Sequence, residues 1–232
     1  MVIHPEILRG LSAARDADFR AAGCHTRAMR HNPAFAQTDP DIVRTLIAEN
    51  PWATIVSHAN GELVASHYPV LLDEEAEGLA IVSHVGRPDE KKHLLGSGEV
   101  LLIVAGPHGY ISPSWYVEGE APVPTWNFSV AHCYGVPEIL DADENLRVLT
   151  RLVDHFERHV EHPVELDQEI GARIARGTVG LRLPITRFVC KVKMSQNKDE
   201  VSQRQVLAEL RGDGPYASAP LAADMARALG VA

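Results

Sequence analysis

The densest run of groups able to bind or react is Gly106-Pro-His-Gly-Tyr-Ile-Ser-Pro-Ser-Trp-Tyr116. His108, Tyr110, Ser112, Ser114, Trp115 and Tyr116 supply donors, acceptors and flat aromatic surface, while two prolines and two glycines argue against regular structure. Such a loop suits a planar, phosphorylated ligand: hydroxyls and backbone N–H groups take the phosphate and rings cover the rest. The competing account is an aromatic-rich structural turn. Two further segments, Ala65-Ser-His-Tyr-Pro69 and Val123-Pro-Thr-Trp-Asn-Phe128, set polar side chains among strand-like apolar ones. Those side chains must be buried and hydrogen-bonded or face a cavity. A fourth, Lys191-Val-Lys-Met-Ser-Gln-Asn-Lys198, is basic and offers a cation to a phosphate or carboxylate, or is a solvated strand end.

The chain holds 12 histidines. His155 and His159 stand at i and i+4 with His162 beyond, a spacing that could line up zinc ligands. The interleaved Glu157, Arg158 and Glu161 make a solvated helix face the better reading, and no metal is expected. Cys24, Cys133 and Cys190 are odd in number, widely spaced and without a CxxC pair. They read as free thiols in a reducing cytosol. No acid, base or nucleophile for a particular substrate stands out.

The elements that must position these groups alternate between two periods. Pro40 to Asn50 has helical spacing after an Asp39 cap. Trp52 to Ser57 and Leu63 to Leu72 are strand-like around the hairpin signal Asn60-Gly61. Gly78 to Val85, Glu99 to Ala105 and Val123 to Ile139 are also extended, and Arg87 to Lys92 is a short helix. Asp143 to Glu161 and Gln168 to Arg176 are helices. Thr178 to Val192 returns to strand, and Ser202 to Leu210 and Leu221 to Leu229 are surface helices. Six or seven antiparallel strands with interspersed helices suggest a small barrel with a helical flank.

Composition narrows the function classes. The 232 residues are 45% hydrophobic and 23% charged, with 31 acidic against 22 basic side chains and a net charge of −9. That balance opposes nucleic-acid binding, whose affinity comes from basic residues neutralising phosphates. There is no helix-turn-helix pattern, and within the N-terminal segment Arg27, Arg30 and His31 form the sole local basic group. The longest apolar run, Val100 to Gly106, is too short to cross a bilayer.

Taken in order, Ser66-His-Tyr-Pro69, Ser83-His-Val85, the Gly106 to Tyr116 run, Pro124-Thr-Trp-Asn-Phe128 and Lys193-Met-Ser-Gln-Asn197 resemble the motifs of the PaiB-like family of FMN-binding negative transcriptional regulators. The resemblance spans about Met29 to Leu210. It implies an α+β fold, an antiparallel split β-barrel of the pyridoxamine phosphate oxidase kind with flanking helices, and a cytoplasmic homodimer with flavin at the subunit interface and a small-molecule substrate. The expected organisation is an N-terminal extension over 1–28, a split-barrel domain with a helical insertion over 29–211, and a helical tail over 212–232.

The residues expected at the cofactor are Ser66, His67, His84, Arg87, His108, Ser112, Ser114, Trp115, Trp126, Asn127, Lys193, Ser195 and Gln196. The family's usual Arg-Ala-Asn-Pro run followed by an aromatic residue is Arg87-Pro-Asp-Glu-Lys-Lys92 here, and a carboxylate at Asp89 would repel a flavin phosphate beside it. The resemblance extends to piperazate synthases, haem enzymes that form a nitrogen–nitrogen bond from N-hydroxyornithine. Haem is therefore the alternative cofactor, with His67, His84 and His132, and beside them His108, as axial candidates. The family's repressor role is a second alternative, disfavoured by the charge.

Overall fold

The computed structural model describes residues 29–120 and 122–231. The extension expected over 1–28, with Cys24 and Arg27, lies outside the described residues. Strand β1 (Ala36–Gln37) leads to helix α1 (Pro40–Glu49), where the Asp39 carboxylate accepts the Asp41 amide and Pro40 takes the first turn. Strands β2 (Trp52–Ala59) and β3 (Glu62–Leu72) form the expected hairpin, with Asn60 and Gly61 at φ of 53° and 85°. There follow β4 (Ala80–Gly86), α2 (Arg87–His93), β5 (Val100–Ile111), a short 3-10 turn at Pro113–Trp115, β6 (Thr125–Gly135) and β7 (Glu138–Ile139). The chain continues through α3 (Ala142–Glu157), α4 (Gln168–Gly177), β8 (Thr178–Pro184), β9 (Arg187–Lys193), α5 (Glu200–Arg211) and α6 (Ala219–Leu229).

All strands pair antiparallel in the order β1-β9-β6-β5-β2-β3-β4-β8-β7. The described residues thus hold nine strands, more than the six or seven expected. The stretch from Thr178 is two strands broken at Ile185-Thr186, which go to different parts of the sheet. Strand β3 is shared: its first eight residues pair with β2 and Val70 to Leu72 pair with β4, so the sheet turns a corner at Pro69-Val70.

Alternation then sorts side chains onto two faces. The inward face packs Ile55, Val70, Ile81, Leu102, Val104 and Ala131 against Val43, Leu46 and Ile47 of α1. Cys133 and Cys190 belong to this core, and burial pushes their thiols up to about 12 and about 11. On the other side of β4, α3 seats Val148 and Leu152 over Val82. The two C-terminal helices, expected at the surface, instead bury Val206, Leu210, Leu221 and Met225 with Ile111, Tyr116 and Met194. Among the described residues no helix is long and apolar enough to cross a membrane.

The Gly-Pro-His-Gly-Tyr segment is not the irregular loop its glycines and prolines suggest. It continues β5 to Ile111, and the irregularity is a single register shift: Ala105 pairs with Val130, but His108 pairs with Phe128. The glycines serve close approach. A Cβ on Gly106 would lie 2.7 Å from Cδ1 of Leu46, and one on Gly109 would lie 2.9 Å from Cδ2 of Leu221.

Beneath β2 and β3 runs a polarised hydrogen-bond chain. Tyr68 and Ser66 both donate to Oδ2 of Asp89, at 2.5 and 3.2 Å. With its proton so used, the Ser66 oxygen accepts from Nε2 of His93 at 3.0 Å, which leaves Nδ1 to accept from Ser57 at 2.9 Å. The Tyr68 hydrogen bond holds the Asp89 carboxyl below its usual range, while burial holds His93 below the ordinary 6.5.

Two outcomes follow for stability. An unfolded chain protonates this histidine below pH 6.5 and the folded one resists, so folding free energy drops as pH falls through 6.5 toward the folded-state value. Urea denaturation at a series of pH values should show this drop, with a shallower slope in His93→Gln despite its lower stability at neutral pH. At Gly135, an added Cβ would overlap the Pro184 carbonyl oxygen. Gly135→Ala should therefore cost about 1–3 kcal/mol or more in thermal denaturation, whereas Gly98→Ala, with nothing within 4 Å, should be near neutral.

Candidate functional site

Cross-strand register gathers the candidate residues. His67 of β3, Thr54 of β2, Ile103 of β5, His132 of β6 and Val189 of β9 form one continuous row. Their strand neighbours Ala53, Leu102, Ala131 and Cys190 are buried, so the row lies on the outward face. His84 shares the parity of Val82, which pairs with Leu71, and so lies on the outward side too. Two more outward rows stand further along β5 and β6: His108, Phe128 and Lys193, then Tyr110 and Trp126. Four residues of β6 separate Phe128 from His132, about 13 Å along a strand.

The far end of this face is aromatic. His108, Tyr110, Trp126 and Tyr216, with Gly109, Ala217 and Ser218, line an open hollow of about 480 Å³. The His108 and Trp126 rings are 6.2 Å apart, and those of Tyr110 and Tyr216 4.9 Å. On the strand beside Trp126 the Lys193 ammonium donates to Thr125 Oγ1 and the Trp126 carbonyl, both at 2.6 Å. Burial, reinforced by Lys191 and Lys198, holds this ammonium below its ordinary range, and both of its hydrogen-bond acceptors are neutral. The Lys191 ammonium stands 5.7 Å from the Phe128 ring centre. Beside the cavity, Trp115 is partly buried 6.5 Å from Tyr216. Ser112 and Ser114 share a 2.7 Å hydrogen bond, Ser112 also accepting the Ser114 amide as the cap of the 3-10 turn.

Nearer the hairpin, His67 is exposed, bonded through Nδ1 to Thr54 at 2.9 Å and stacked 6.4 Å from Trp52. Burial holds His84 and His132 below the ordinary imidazole range. Nδ1 of His84 is buried with no partner among the described residues.

The other expected residues stand elsewhere. Asn127 is fully buried and exchanges hydrogen bonds with the Ser195 hydroxyl at 3.0 and 3.2 Å. Gln196 closes a local turn, accepting from the Met194 amide and donating to the Val192 carbonyl, each at 2.6 Å. Ser66 faces inward, in the His93 chain. Arg87 donates to the Arg176 carbonyl at 2.6 Å, at the end of α4. Asp89 faces Tyr68 and Ser66, with Lys92 at 3.9 Å. His159 accepts from Arg158 at 3.0 Å, and His162 lies beyond the end of α3.

The gathered set offers aromatic faces, two ammonium groups and imidazoles on one surface. A flat ligand with an anionic substituent fits it: rings stack, and Lys193 has hydrogen-bond capacity for an anion. Tyr216, Phe128, Trp52 and Thr54 escaped the sequence reading. The last three carry a signal in strand alternation, since each shares a face with a named residue. Tyr216, in Gly-Asp-Gly-Pro-Tyr, carries none.

Comparison with known proteins agrees with this architecture. Residues 29–187 match the family model described as "Putative FMN-binding domain". The chain is 29% identical over 184 residues to the protease synthase and sporulation protein PAI 2 of Bacillus subtilis, covering 77% of this chain and 87% of that one. Among solved structures, the FAD and heme binding protein of Mycobacterium smegmatis superposes with a TM-score of 0.54 at 18% identity, covering 73% of this chain and 78% of that one. The flavocytochrome Anf3 of Azotobacter vinelandii does so with 0.53 at 20%, covering 73% and 74%. These likenesses show the fold, a split barrel built on a curled antiparallel sheet with flanking helices. With the family model covering most of the described strands and the PAI 2 relative aligned over three quarters of this chain, the chain belongs to the PaiB-like FMN-binding family.

Proposed function

We propose that this protein binds FMN on the outward face of its sheet and uses it in a cytoplasmic oxidoreductase or metabolic-regulatory role on a small molecule. One observation carries the reading: an open hollow of about 480 Å³ lined by four rings, with the Lys193 ammonium on the carbonyl of one of them, Trp126, and bonded among the described residues to neutral oxygens alone. That volume lies within the roughly 300–1,000 Å³ of small-molecule sites. Trp126 and Tyr110 would stack on the isoalloxazine, and Lys193, with Lys191 beside it, would hold the phosphate. A bound flavin would supply hydride or electron transfer. The chain's own part is to bind and orient that ring and to offer the imidazole of His108, which lines the hollow, for proton movement. Asp89 poses no obstacle to the phosphate in this reading, because its charge is spent on Tyr68 and Ser66.

Haem is the second reading. It is favoured by the three imidazoles of His67, His84 and His132 on one side of the sheet, and by relatives of the same fold whose names include heme and flavocytochrome. Direct DNA binding gains nothing from a chain of net charge −9.

The same face carries Trp52, 63% exposed, and the half-buried Val56, Leu101, Ile103 and Val130. Contiguous apolar surface of this kind is covered in soluble proteins. A second copy of the chain is the occupant this reading assigns, giving a homodimer with the cofactor at its interface.

Titration of the purified protein separates the cofactor readings. FMN should bind with a perturbed flavin spectrum, and Lys193→Met should weaken FMN about tenfold or more while sparing riboflavin, since a charge-assisted hydrogen bond is worth about 1.5–3 kcal/mol. A Soret band on hemin addition that shifts in His67→Ala, with no flavin bound, would transfer the site to haem. Sedimentation should give a dimer that Val130→Glu converts to a folded monomer. A wild-type monomer at high concentration would remove the second copy from the reading.

A further inference from the structure

We infer that Tyr216, carried on the connection between α5 and α6 and outside the 29–187 match, completes the site as a stacking wall and makes it selective for flat conjugated rings. The inference rests on the cavity being the flavin site and names the residue that determines what enters it.

The connection is held firmly at both ends. Leu210 lies in the last turn of α5 and Leu221 in the first turn of α6, both fully buried in one core with Met225 and Ile111. The Ser218 amide donates back to the Leu210 carbonyl at 2.8 Å and the Ala217 amide to that of Gly214 at 3.0 Å. The backbone on either side of Tyr216 is thereby fixed, and the side chain is not drawn into the core: it is 51% exposed. Its ring lies 4.9 Å from Tyr110 at an interplanar angle of 48° and 6.5 Å from Trp115 at 61°. Neither is a parallel stack, so neither neighbour covers a face of the ring, which lines the same hollow as Trp126. Without Tyr216, the cavity reduces to a shelf formed by β5 and β6.

Charge decides between the two ligand types that aromatic walls accept. Cations are drawn to ring faces, but among the described residues no carboxylate lines this cavity, and Lys191 and Lys193 stand on the same face. A cation would be repelled. A neutral or anionic conjugated ring meets two stacking surfaces and an ammonium edge.

Fluorescence titrations with FMN and riboflavin test this in the full chain. Tyr216→Ala should weaken both ligands by the same factor, about tenfold, as loss of one stacking partner does, and Tyr216→Phe should bind both as wild type does. This pattern differs from that of Lys193→Met, which discriminates between the two ligands. Circular dichroism confirms that the Tyr216→Ala variant is folded. If both ligands bind it within twofold of wild type, or if FMN alone is weakened, Tyr216 is not a stacking wall. If wild-type protein binds neither flavin, the flavin site itself fails and this inference falls with it.

Discussion

One extra residue in β5 decides which way the recognisable motif faces. Up to Ala105 the odd-numbered residues of that strand point outward. After the register shift at Gly106-Pro107 the even-numbered ones do. Without it, His108 and Tyr110 would continue the parity of Leu102 and Val104 and point into the core, since a slip of one residue exchanges the faces of a strand. The local chemistry suits the irregularity. Proline has no N–H to give to a ladder, and Gly106 lies where Leu46 and Ser129 leave no room for a side chain. The aromatic cavity, the row that ends in Lys193 and the place available to Tyr216 all depend on that shift.

The two faces of the sheet divide the polar residues by what they can reach. Inward polar groups are satisfied within the chain: Asn127 with Ser195, and Ser57, His93, Ser66 and Tyr68 in a chain that ends on Asp89. Outward groups are left with spare capacity, as Lys193 with neutral acceptors and His67 with one hydroxyl both are. The Asp89 carboxylate shows why type alone is a poor guide. Read along the sequence it is a charge beside an arginine. In the fold it is the terminus of a hydrogen-bond chain beneath the strand that carries His67.

What could be read from residues alone follows the same division. Hairpins, caps and amphipathic helices were legible because they are local: Asn60-Gly61 specifies its turn and Asp39 its helix start. The strand through Gly106 to Ile111 was not, because glycine and proline ordinarily break strands and here accommodate a bulge and the packing of α1 and α6. Nor was the burial of α5 and α6, whose apolar stripes say nothing about which surface awaits them. Among site residues, His108, Trp126 and Lys193 were named separately and their convergence comes from strand register. Asn127, Ser195 and Gln196 belong to the same motifs, yet alternation and a tight turn direct them into the structure. Tyr216 reaches the site through helix packing, which leaves no trace in its own segment.

The lysines give the last step its direction. In a chain of net charge −9, Lys191 and Lys193 lie together on the face proposed to be covered by a second copy. Exposed to water, an ammonium gains little from an anion because the solvent screens the pair. Covered by another protein surface, the same ammonium attracts an anion more strongly and costs more when left unpaired. A ligand with an anionic group would therefore favour the covered state, and the covered state would favour that ligand. By linkage the two couplings are equal. Burial and its lysine neighbours already hold the Lys193 ammonium below its ordinary range in one chain, so an anion placed beside it would relieve a cost the fold imposes.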